Sequence, residues 1–181
     1  MIISLTGMPG SGKSTIAKLL SQKLSVPWYS VGDLRGKMAK EHGMTIDELN
    51  TLGETEAFTD KDVDEYQTKL GFGNESFIID GRLSWHFIPQ SLKVFLSVDP
   101  DIAAARIFGA SKAGKRADEK AYTSSAEVKQ AIADRVASDQ LRYQKYYQID
   151  YLDLKNYDLI IDTTRLTPEM IVRQILSKIP A

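Results

Sequence analysis

Nine residues near the start of the chain, GMPGSGKST from Gly7 to Thr15, have the types and spacing of a phosphate cradle. Gly7, Gly12, Lys13 and Ser14 satisfy the pattern glycine, four residues, glycine, lysine, serine or threonine. Met8, Pro9, Gly10, Ser11 and Thr15 complete the loop. Glycines in such a loop let successive backbone N–H groups turn toward one anion. The helix expected to follow adds the positive end of its dipole. Lys13 is placed to reach the β- and γ-phosphates of a nucleoside triphosphate, and the Ser14 hydroxyl to ligate Mg²⁺. A chance glycine-rich turn would lack the flanking context. Here the apolar run IISL precedes the loop and IAKLL follows it.

Other residues bear on where the phosphoryl group goes. Asp80 closes the apolar run SFIID, which places it at the carboxyl edge of a sheet strand, where ligands bind in open α/β folds. A carboxylate there holds Mg²⁺ or its waters beside Ser14; the plainer alternative is an aspartate that merely ends a strand. Arg82, two residues on, suits a second phosphate, since a guanidinium pairs with phosphate bidentately. In AEVKQAIADRVASDQLRYQKYY, Arg135, Asp139 and Arg142 fall within about 60° of one another on a helix. They border a stripe of Val128, Ile132, Val136 and Tyr143. That pattern reads either as an Arg–Asp pair decorating a surface or as arginines converging on phosphates with Asp139 orienting one of them. Phosphoryl transfer requires mostly positioning and charge neutralisation, so no protein nucleophile or histidine base is needed. Nothing around His42 or His86 suggests catalysis or a metal.

These residues need a scaffold that brings strand ends together. MIISLT, VPWYS, SFIID, KVFLSV and YDLIID read as short strands separated by helical stretches, which implies βα crossovers and a parallel sheet buried on both faces. In KSTIAKLLSQKL, Ile16, Leu19, Leu20 and Leu24 share one helical face. GDLRGKMAKEH reads as a helix stopped by Gly43, and Thr45 with Glu48 forms a capping box that opens another. DKDVDEYQTKL is a further amphipathic segment, and residues 109–125, rich in small and charged types, read as a mobile loop.

Composition narrows the class. The 181 residues suit a single domain, and 43% hydrophobic with 26% charged residues is an ordinary globular balance. A formal net charge of -1 argues against a polymeric nucleic-acid partner. Absence of cysteine excludes a disulfide scaffold and a thiolate metal site. No apolar run approaches a membrane span, and no export signal opens the chain, so a cytoplasmic setting is expected.

MIISLTGMPGSGKST, SVGDLRGKMAKEHGMTIDELN, IIDGRLSWHF, DRVASDQLRYQKYYQIDYLD and YDLIIDTT together resemble cytidylate kinases, in particular their short archaeal-type branch, over nearly the whole chain. The resemblance implies a three-layer P-loop NTPase fold in one domain: a five-stranded parallel sheet, a helical monophosphate-binding insertion at about 33–72 and a short lid at about 109–125. It implies transfer of the ATP γ-phosphoryl to CMP or dCMP with Mg²⁺, by a monomer. Arg82 in the run Asp80–Gly81–Arg82 looks like a monophosphate-site residue, and Arg106 and Arg116 look like lid arginines. Arg135 and Arg142 look like helix arginines gripping both nucleotides, with Asp139 between them, and Thr163 lies where the adenine edge rests in such kinases. The loop keeps Lys13, which some archaeal relatives lack. Relatives also carry an arginine where this chain has Gly36; Arg35 is the neighbouring candidate, about 100° away around a helix. The base therefore stays open at this stage, with AMP, UMP or a small alcohol as alternative acceptors. A non-catalytic nucleotide-binding regulator is a third reading. The Asn-Lys-x-Asp stretch of a guanine reader is absent.

Overall fold

The alternation of strands and helices closes into one parallel sheet in a computed structural model, which describes residues 1–56, 58–73, 75–113 and 122–179. Strands β1 (Ile2–Gly7), β2 (Trp28–Ser30), β3 (Phe77–Asp80), β4 (Leu92–Ser97) and β5 (Leu159–Asp162) lie in the order β2-β3-β1-β4-β5. Central β1 pairs Leu5 with Asp80 on one side and with Val94 on the other. This register brings Gly7, Asp80 and Ser97 to the same carboxyl edge.

Parallel neighbours require crossovers, and helices supply them. Helix α1 (Lys13–Leu24) follows β1, while α2 (Val31–Glu41), α3 (Ile46–Gly53) and α4 (Phe58–Gly71) stand between β2 and β3. Short α5 (Ser84–Phe87) precedes β4; α6 (Pro100–Lys112) and α7 (Ser125–Tyr147) precede β5; α8 (Pro168–Leu176) ends the fold. Period-two alternation splits the core. Ile3, Leu5, Ile78, Val94 and Leu96 face α1 and α8, where Ile16, Leu20, Ile171 and Ile175 complete one cluster. Phe77 and Ile79 join Ile88 on the opposite side, and Phe95 joins Tyr143, Tyr151 and Tyr157. No helix among the described residues is long and apolar enough to cross a membrane.

Local signals explain the helix ends. Thr45 Oγ1 accepts from Glu48 N at 3.2 Å and Glu48 Oε2 accepts from Thr45 N at 2.7 Å, which is the expected capping box. Gly43, at φ 68°, follows the end of α2 as anticipated. Three helices were not anticipated, the short α5 together with α6 and α8. Asp99 Oδ1 caps α6 by accepting from Asp101 N and Ile102 N, and Ala104 and Ile107 then pack beside Val128 of α7. Thr167 and Pro168 open α8 in the same way. Of the stretch 109–125 expected to be loose, residues 109–112 form the last turn of α6 and Ser125 opens α7. Residues 114–121, which include Arg116, lie outside the described residues.

Candidate active site

The loop after β1 turns into α1 at Gly12, whose φ of 90° is left-handed and favours glycine. Lys13 Nζ donates to the carbonyls of Gly7 and Met8 at 2.9 and 3.0 Å, so the ammonium is held across the loop. Burial first, then the Arg82 guanidinium, pull the Lys13 ammonium down to about 7; Asp80 opposes them. An ammonium so placed gains greatly from an approaching anion. Ser14 Oγ donates to Asp80 Oδ2 at 2.7 Å, joining the start of α1 to the end of β3. Burial raises the Asp80 carboxyl, while the Ser14 hydrogen bond and the Lys13 charge lower it, with a net upward shift.

Beyond Asp80, Thr6 Oγ1 donates to the Gly81 carbonyl at 2.9 Å and Trp85 Nε1 to the Arg82 carbonyl at 3.1 Å, fixing the run that carries Arg82. Arg82 Nε is ion-paired with Asp139 of α7. Asp139 Oδ1 also accepts from Arg142 Nη2 at 2.5 Å, and Arg142 Nη1 reaches both oxygens of Asp60 on α4 at 2.6 Å. Arg35 of α2 donates from Nη1 to Asp60 Oδ1 at 2.6 Å and to the Thr59 carbonyl at 2.9 Å. A chain of alternating charge thus runs from the end of β3 through α7 to the helices between β2 and β3. Gly53 permits it, because a Cβ there would stand 2.7 Å from Thr59 Oγ1 and 3.0 Å from Arg142 Cδ.

One cleft of about 680 Å³ collects these groups at the carboxyl edge of the sheet. Its lining includes Pro9, Gly10, Ser11, Gly12, Ser14 and Thr15 of the loop, with Asp80 and Gly81 beside them. Among the described residues Lys13, Arg35, Arg82, Arg106, Arg135 and Arg142 line it with the carboxylates Asp33, Asp80 and Asp139, while Asp60 pairs with Arg35 and Arg142 from outside the lining. In a chain of net charge -1 this concentrates positive potential where phosphates would enter. Gly7 and Met8 support the loop from behind rather than line the cleft. Thr163 is fully buried and also outside the lining; its carbonyl accepts from Arg106 Nη2 at 2.8 Å, so it anchors that arginine. On that side Leu166 and Pro168 line the cleft, and near α2 Ile46 and Asn50 do so. None of these four was expected from sequence, although Ile46 and Asn50 sit one helical turn apart immediately after the capping box.

A neighbouring acid yields a stability prediction. Asp64 of α4 accepts from the hydroxyl of Tyr147 on α7 and from Gln67 Nε2 at 3.3 Å. Burial pushes its carboxyl up to about 7, and the Tyr147 hydrogen bond offsets this only in part. Because the folded carboxyl keeps its proton where the unfolded one has lost it, stability falls as pH rises from about 4 to about 7. Asp64→Asn is expected to melt above the unsubstituted protein at pH 8, by about 2–4 °C per kcal/mol recovered, with the gap shrinking as pH falls toward 5. Melting curves across that range check this; a constant or inverted gap refutes it.

The family model of the cytidylate kinase-like family matches residues 2–165. The chain belongs to that family. A cytidylate kinase of Methanobrevibacter smithii is 36% identical over 177 residues, covering 98% of this chain and 97% of that one. Another, of Methanothrix thermoacetophila, is 39% identical over 168 residues, covering 91% and 90%. Among solved structures, an uncharacterized protein from Eubacterium ventriosum aligns with a TM-score of 0.69 at 18% identity, covering 98% of this chain and 96% of that one. Shikimate kinase from Aquifex aeolicus aligns at 0.56 and 22% identity, covering 98% and 94%. These two likenesses establish the α/β fold. Membership of the cytidylate kinase-like family makes the chain an ATP-dependent phosphotransferase.

Proposed function

We propose that the protein is a nucleoside monophosphate kinase that transfers the γ-phosphoryl of ATP to CMP or dCMP, giving CDP or dCDP and ADP. The observation that carries this reading is the single cleft in which the phosphate loop and five arginines converge from two sides. A phosphate-bearing acceptor accounts for Arg35, Arg82 and Arg142 in the cleft lining, where an uncharged acceptor would need few cations.

The Ser14 hydroxyl and the Asp80 carboxylate form an all-oxygen pair, and Asp80 Oδ1 is buried with no hydrogen-bond partner. A hard divalent cation such as Mg²⁺ suits that pair. When bound, Mg²⁺ supplies neutralisation of charge on the β- and γ-phosphates. The protein's own groups do the rest. Loop N–H groups and Lys13 hold the triphosphate. Arg82, Arg135 and Arg142 orient the acceptor and balance charge spread over the transferring group. An oxygen of the acceptor phosphate bonds to the γ-phosphorus as the bond to the bridging β–γ oxygen breaks, and ADP leaves with that electron pair. Arg106 stands beside the loop on the ATP side, where its Nη1 donates to the Gly10 carbonyl at 3.4 Å.

The test is ADP release with ATP and Mg²⁺ against CMP, dCMP, UMP, AMP and GMP, with an acceptor-free control. Acceptor-dependent turnover fastest with CMP or dCMP is expected. Preference for a purine monophosphate would overturn the base, and no acceptor-dependent turnover would overturn the reading entirely.

A further inference from the structure

Asn50 is nine-tenths buried on α3, yet it lines the cleft together with Ile46 one turn before it and with Val31 and Arg35 of α2. Its oxygen is committed: Arg35 Nη2 donates to Asn50 Oδ1 at 3.0 Å. A guanidinium has only donors, so the atom facing it must be the amide oxygen, and chemistry fixes which way the carboxamide points. Arg35 is itself immobilised by Asp60 and by the Thr59 carbonyl. What Asn50 has left is its amide nitrogen, which makes no hydrogen bond to the protein among the described residues.

A nearly buried residue that lines a ligand cleft and offers donors alone is built to meet an acceptor atom. Ile46, one turn before Asn50, and Val31 add apolar side chains to the cleft lining, of the kind that suits a flat ring. Resting on the reading of the acceptor as a pyrimidine monophosphate, we propose that Asn50 selects the base by donating from Nδ2 to N3 of cytosine. Position 3 distinguishes the two pyrimidines for such a group. Cytosine N3 is a bare acceptor, whereas uracil N3 carries a hydrogen and would set donor against donor. The exocyclic oxygen at position 2 is common to both and discriminates nothing. Leaving the amide and the ring unpaired should reduce kcat/KM by about 10–100-fold.

The experiment measures kcat/KM at saturating ATP for CMP, UMP and 3-deaza-CMP, in which N3 is replaced by C–H, with the unsubstituted protein, Asn50→Asp and Asn50→Ala. The unsubstituted enzyme is expected to favour CMP over UMP about 10–100-fold and to lose a similar factor with 3-deaza-CMP. Asn50→Asp, which turns a donor into an acceptor, is expected to shift preference toward UMP. Asn50→Ala is expected to use CMP and 3-deaza-CMP alike, and the KM for ATP stays constant in both variants. Equal losses for CMP and UMP in the variants, or indifference of the unsubstituted enzyme to N3, would make Asn50 a structural residue and overturn the proposal. If the variants do not fold, indifference of the unsubstituted enzyme to 3-deaza-CMP still overturns the proposal, and Asn50→Ser, smaller but still able to donate, then tests the residue itself by keeping part of the CMP preference. Failure of the underlying function shows separately, as an unsubstituted enzyme that turns over neither pyrimidine monophosphate, and the proposal then falls with it.

Discussion

Lys13→Ala is expected to lower turnover by about 10²–10³-fold without unfolding the protein. The loss follows from position: Lys13 is the cation that spans the loop, and transfer of a phosphoryl group depends on charge neutralisation held ready before reaction. The fold should survive for three reasons. Residue 13 opens α1, and alanine is the best helix former. The hydrogen bonds lost go to two loop carbonyls rather than to the core. Finally, burial and the Arg82 charge already disfavour the ammonium, so its removal relieves a desolvated charge. Circular dichroism and a melting curve alongside the ADP-release assay check both halves. Turnover near that of the unsubstituted enzyme would remove the loop from the reaction.

The loop was legible because its chemistry is consecutive in sequence, and Asp80 because a strand end announces where a side chain will stand. Asp60 was not. Its partner Arg142 lies 82 positions away, and it sits in an acid-rich amphipathic segment where any of several carboxylates could have faced solvent. Asn50 was hidden for a similar reason, since a capping box tells where α3 begins but not which neighbour its second turn meets. Gly36 is buried within α2, and Arg35 lines the cleft despite its rotation on the helix, with its guanidinium held by Asp60, Thr59 and Asn50. A long flexible side chain covers an angular difference that helical geometry alone would treat as prohibitive. Thr163 shows the converse. Its position after β5 was readable, but the fold gives it to Arg106 and offers Leu166 and Pro168 to the cleft instead.

Asp139→Asn is expected to be the most damaging substitution for stability. Asp139 is 3% exposed and serves two guanidiniums, Arg82 from the end of β3 and Arg142 on its own helix. Burial alone would raise its carboxyl, yet Arg82 and then Arg142, with Arg135 and Arg35 behind them, hold it below the usual carboxylate range. Asparagine preserves shape but removes the charge and turns an amide toward groups that only donate. Breaking one side of a buried ion network costs about 3–5 kcal/mol, and the lower end applies here because Asp60 still serves Arg142. At this chain length that corresponds to a melting temperature lower by roughly 6–12 °C at pH 7. The sign of the pH dependence is fixed by the depressed carboxyl. Its contribution is complete above the unfolded carboxylate range near 4 and is lost as pH falls through the folded value, so the gap between the two proteins narrows in acid. Kinetics separate anchoring from mere loosening. Arg82, freed from Asp139, should raise the KM for the acceptor more than that for ATP, whose loop contacts Ser14 and Lys13 remain. Equal melting at pH 7 would show that Arg82 and Arg142 are held in place without Asp139, and the charge chain from β3 to α4 would lose its central link.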